Sequence, residues 1–88
     1  MNREELKIKL DGLKISPIQY SLYNKLDPDR MVMYDFYGKW IVFYLNGEGK
    51  RTNEHTFYSE AEACQFMLDQ FIGFIQFRDK NGLETGRK

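Results

Sequence analysis

The chain has one Cys, one His and one Trp among 88 residues, only two Pro, and no net charge. Each shortage removes a class of answer. A single Cys, Cys64, cannot close an intrachain disulfide, which suits a reducing compartment. A zinc site needs about four Cys, His or carboxylate ligands at set spacing, and the chain lacks the material. Thirteen Lys and Arg offset thirteen Asp and Glu, which argues against a generic phosphate-backbone binder. The longest apolar run, Trp40 to Leu45, has six residues and is too short to span a bilayer. Charges interrupt Met1 to Lys14 at every second or third position, so no secretory leader is expected there. These features point to one cytoplasmic domain without a cofactor, a metal or a membrane partner.

Aromatic residues are what the chain has in excess: one Trp, six Tyr and seven Phe, 16% of the sequence. A domain of this size hides only somewhat more than ~60% of its unfolded surface. Either the core is rich in rings or some rings face a partner.

Local patterns predict an α+β domain in the order α-β-β-β-α over residues 1–79, with a polar, mobile tail over 80–88. Asn2 with Glu5 three residues on reads as a capped helix start, and Leu6, Leu10 and Leu13 form one narrow apolar stripe ending near Gly12. Ser16-Pro17-Ile18-Gln19 reads as a short helical turn, with Ser capping and Pro at the first helical position. Arg30 to Tyr37 and Lys39 to Leu45 are rich in β-branched and aromatic residues, and a two-residue Gly38-Lys39 loop suits a type II′ hairpin turn. Asn46 to Gly49 is a second turn, leading to a third strand of about Arg51 to Tyr58 and so to a three-stranded antiparallel meander. Ser59-Glu60-Ala61-Glu62 is a capping box before a long C-terminal helix, with Ala61, Cys64, Leu68, Phe71 and Ile75 as its core stripe.

The hairpin register sorts the strand residues into two faces. One carries Val32, Tyr34, Phe36, Ile41, Phe43 and Leu45; the other carries Met31, Met33, Asp35, Tyr37, Trp40, Val42 and Tyr44. The second is mixed rather than polar. Either the N-terminal segment covers it, or Tyr37, Trp40 and Tyr44 make a ring-rich docking patch beside Asp35.

Chemistry-bearing groups are sparse. His55 and Cys64 are the one conceivable nucleophile–base pair, without a third orienting group or an oxyanion motif. Gly47-Glu48-Gly49-Lys50 has Tyr44 and Arg51 where a phosphate-binding loop needs Gly and Ser or Thr, so it reads as a hairpin turn. An enzyme is not expected. The aromatic strand Trp40 to Tyr44 resembles that of RNA-recognition modules, but those have a four-stranded sheet with a helix between its first two strands. Charge is uneven along the chain: residues 27–69 hold four bases against eight acids, a net of −4. An acidic sheet region with exposed rings suits a basic protein partner better than nucleic acid.

Three pieces occur in order: Pro17-x-x-Tyr20-Ser21-Leu22, Trp40-x-Val42-x-Tyr44 and Phe57-x-Ser59-Glu60-x-Glu62-Ala63-Cys64. Together they resemble small bacterial immunity proteins encoded beside polymorphic or contact-dependent growth inhibition toxins, over roughly Gly12 to Phe71. The resemblance implies a noncatalytic protein that binds and neutralises one cognate toxin domain, often a nuclease, in the cytoplasm. The chain departs from the group at Leu45 to Arg51, where a Glu-Arg-Gly continuation is common, and in the long apolar run Phe71 to Phe77. Asp35, Tyr37, Trp40, Tyr44, Glu48 and Glu54 are the expected partner-binding residues, acids and rings that would occlude a basic catalytic cleft. The rival readings are a homodimerising or adaptor domain and a single-strand nucleic-acid-binding module that stacks bases on Tyr37, Trp40 and Tyr44.

Overall fold

The computed structural model describes residues 1–86, with side chains as far as Arg78. Helix α1 (Arg3–Gly12) begins where the sequence places its cap: the Glu5 amide donates to Asn2 Oδ1 at 2.8 Å, and the Asn2 amide donates to Glu5 Oε1 at 3.0 Å. It ends in a Schellman turn, with the amides of Lys14 and Ile15 donating to the carbonyls of Asp11 and Leu10 and Lys14 held at φ 62°. A 3₁₀ turn, Pro17–Gln19, follows under its Ser16 cap.

The sheet comprises β1 (Tyr20–Ser21), β2 (Arg30–Phe36), β3 (Lys39–Leu45) and β4 (Arg51–Phe57), in that spatial order, and helix α2 (Glu60–Gly86) closes the fold. The domain is α+β, as expected, but the sheet is four-stranded and mixed rather than a three-stranded antiparallel meander. The difference is β1, which runs parallel to β2 with Tyr20 beside Met31 and Ser21 beside Val32. Two strand residues carry no periodicity of their own, so this strand exists only through its partner. Where a tail was expected from residue 80, the helix runs through Gly86; Arg87 and Lys88 lie outside the described residues.

The hairpin register differs from the expected one by two residues. Tyr37 and Gly38, not Gly38 and Lys39, form the loop, and Asp35 pairs with Trp40, Tyr34 with Ile41 and Val32 with Phe43. Both loop residues have positive φ, 50° and 79°, which is the type I′ requirement. A slip of two preserves which residues share a face, because side chains alternate with period two.

Both helices lie on the mixed face. Leu6 and Leu10 of α1 and Ala63, Cys64, Met67, Leu68 and Phe71 of α2 are buried with Met31, Met33 and Val42 in one core, and Trp40 packs against it. Ala61, expected in the α2 stripe, is exposed. The helix starts at the expected cap, with the Glu62 amide donating to Ser59 Oγ at 3.1 Å. Arg3 joins the two helix starts: its amide and Nε donate to Glu60 Oε2 at 2.9 and 3.3 Å, and its guanidinium lies over the rings of Tyr23 and Trp40.

The nearly all-apolar face has no helix over it. Val32, Phe43 and Leu45 form a second small core with Tyr34 and Ile41, and no helix residue belongs to it. The outer side of β2 is closed by β1 and then by Asn24, whose side chain donates to the Asp35 carbonyl at 3.0 Å and accepts from the Asp35 amide at 2.8 Å. On the far side, β4 is exposed except at Phe57, and its register breaks between Val42 and Tyr44, where Asn53 takes φ 55°.

Candidate docking surface

The hairpin loop places rings at the rim of the helix-free face. Tyr34, Phe36 and Tyr37 form a chain of contacts, with centroids 6.3 Å apart for the first pair and 4.6 Å for the second, the latter edge to face at 78°. Phe36 is 50% exposed and Tyr37 91%. Arg51 reaches across this face from β4, its guanidinium 4.5 Å from the Phe43 ring and 5.9 Å from that of Tyr34. The cation lies on rings instead of on a carboxylate, which caps the small second core while leaving its charge accessible.

The six expected partner-binding residues do not form one patch. Tyr37 stands on the hairpin loop. Asp35, Trp40 and Tyr44 belong by alternation to the face that carries the helices: the Asp35 backbone is tied to Asn24, and Trp40 is half-buried beneath Arg3. Tyr44 borders a groove of about 370 Å³ between α2 and the start of β2, lined by Ile15, Met31, Phe71 and Phe74 among others. Glu48 sits in the β3–β4 turn, its amide donating to Asn46 Oδ1 at 2.9 Å, and Glu54 stands at the β4 irregularity. The residues that sequence reasoning passed over are Tyr34, Phe36, Lys39 and Arg51. The available signal was the parity of Lys39 and Arg51, which places both on the face of Val32 and Phe43.

Comparison with protein-family models, curated proteins and solved structures found no match to this chain. Its own geometry is therefore the ground for a functional reading.

Cys64 and His55 sit in unlike places. Cys64 is fully buried in the main core, and burial, reinforced by the nearby Glu60 charge, pushes its thiol from 9.0 to about 11. A thiol so protonated at neutral pH is a poor nucleophile. His55 is exposed on β4, its ring 4.5 Å from that of Phe66 and its Nε2 3.1 Å from Asn53 Oδ1. Among the described residues no group of three or more His, Cys, Asp or Glu is placed to hold a metal ion, and no helix is long and apolar enough to cross a membrane.

Proposed function

We propose that this chain is a noncatalytic immunity protein that neutralises a cognate toxin domain by stoichiometric binding, the function its sequence resemblance implies. The observation that carries this reading is the number of rings outside the core. Seven of the fourteen aromatic side chains are exposed, and the most exposed of them, Tyr37, occupies a left-handed backbone position that Asn or Gly would fill at lower cost. A large ring held in that place contributes little to folding and is well placed to bury itself in a partner, where Tyr and Trp dominate binding energy.

The test is co-expression with the toxin domain encoded beside this chain. A one-to-one complex should form, and the toxin should lose its activity in proportion to the bound fraction. Replacing His55 and Cys64 together by Ala should leave that protection intact, since neither residue acts chemically in this reading. A toxin that keeps full activity in the presence of excess folded chain would refute the proposal.

A further inference from the structure

We infer that the toxin docks on the helix-free face of the sheet, around Tyr37, Phe36, Lys39 and Arg51, and that it presents an acidic protein surface there; this rests on the toxin-neutralising reading above. The face is free of both helices, because the core of Val32, Phe43 and Leu45 contains no helix residue. Alternation places three bases and one acid on it: Arg30, Lys39 and Arg51, with Glu54 in the parity of Thr56, the partner of Ile41. Arg30 is held by Asp27 at 3.6 Å, whereas Lys39 and Arg51 make no ion pair among the described residues. Glu54 shares the face but makes no ion pair with either base, so the unpaired charge there stays net positive, and Asp35 belongs to the opposite face.

Charge then chooses the occupant. A second copy seated on the same face would set two surfaces together that each carry the free cations Lys39 and Arg51 against the single acid Glu54, a net like-charge contact that repels. A single nucleic-acid strand needs free ring faces for its bases. Here Arg51 lies over Tyr34 and Phe43, which leaves Phe36 and Tyr37 as a platform for two bases at most. Two available cations also give only a weak salt-dependent hold on phosphates, a slope of about −1.4 for a single strand. An acidic protein surface satisfies both cations and buries the rim rings. The inferred partner is opposite in sign to the basic cleft expected from the −4 of residues 27–69. That sum counts residues along the chain, while docking is governed by one face.

The experiment is binding kinetics between the full chain and the toxin domain encoded beside it, with each variant first shown to be folded by circular dichroism. The parent on-rate should fall as salt rises. Lys39→Glu should lower the on-rate about tenfold, and Tyr37→Asn should raise the off-rate roughly 30-fold, as loss of an aromatic anchor does. Lys9→Glu, an equal charge reversal on α1, should bind like the parent. Tyr37→Asn suits its turn better than Tyr, so weaker binding there cannot be blamed on unfolding. If the parent binds and both site variants match it, docking is elsewhere and the inference falls while the toxin-neutralising reading stands. A faster on-rate for Lys39→Glu overturns the sign of the partner. A parent dimer that Tyr37→Asn dissociates assigns the face to a second copy, and salt-dependent binding of oligothymidylate that Lys39→Glu abolishes assigns it to nucleic acid; either overturns the inference. A parent that binds no toxin domain at all refutes the preceding reading instead.

Discussion

Tyr37 and Cys64 show how one position can set a property of the whole domain. An L-residue with a bulky side chain costs roughly 1–2 kcal/mol in the left-handed region, and Asn is far more at home in the first position of a type I′ turn. Tyr37 gives up little but its edge contact with Phe36 on replacement. Tyr37→Asn should therefore raise stability by about 0.5–1 kcal/mol, read as a higher denaturation midpoint; a lower midpoint would mean that the ring contact outweighs the backbone strain. Cys64 acts through protons. Its folded thiol titrates near 11 instead of 9.0, so its contribution is complete below 9.0 and is lost as pH rises toward 11. In that window the unfolded chain releases the proton first, and stability should fall by on the order of 2–3 kcal/mol. Urea midpoints of the parent and Cys64→Ala across this range isolate the effect: the parent should lose stability more steeply. Parallel curves would show that the thiol is not the source.

Elements defined by neighbouring residues were legible in the sequence, and those defined by distant partners were not. The Asn2 and Ser59 caps need only a residue three places away, so both helix starts could be read directly. The hairpin loop was less legible, because Gly38 suits either loop position and placing it first spares Tyr37 a positive φ. The structure accepts that strain and moves the register by two residues. Strand β1 left no trace because its two residues draw their identity from β2. Alternation separated the two faces of the sheet but could not say which one the helices cover, since both are largely apolar. Within α2, Gly73 lies at an exposed position. A Cβ built there meets nothing within 4 Å, so close packing does not require the glycine. Gly73→Ala should then stabilise the helix by about 1 kcal/mol, measured as a rise in thermal midpoint. A fall would reveal a need for a bare backbone at that point.

Across the whole molecule, burial and charge follow the two faces rather than the order of the chain. Of the six residues expected to touch a partner, only Tyr37 and Glu54 stand on the helix-free side, because Asp35, Trp40 and Tyr44 have the parity of Met33 and Val42. That parity was readable, but the position of the helices was not. The sheet's two borders are also unlike. Along β2, β1 and the Asn24 amide occupy the outward hydrogen-bonding groups as far as Asp35. Asn24→Ala removes two hydrogen bonds and should cost about 1–2 kcal/mol. It should also produce concentration-dependent light scattering, and a variant that scatters no more than the parent and is as stable would show that the amide is dispensable. Along β4 the protection is of another kind: a polar, exposed strand, kinked where Asn53 turns left-handed, offers an incoming strand no straight ladder to extend. One border is occupied and the other is bent. The exposed rings therefore sit beside a sheet with no straight, open border, so cross-strand growth into a fibril finds no template at either edge.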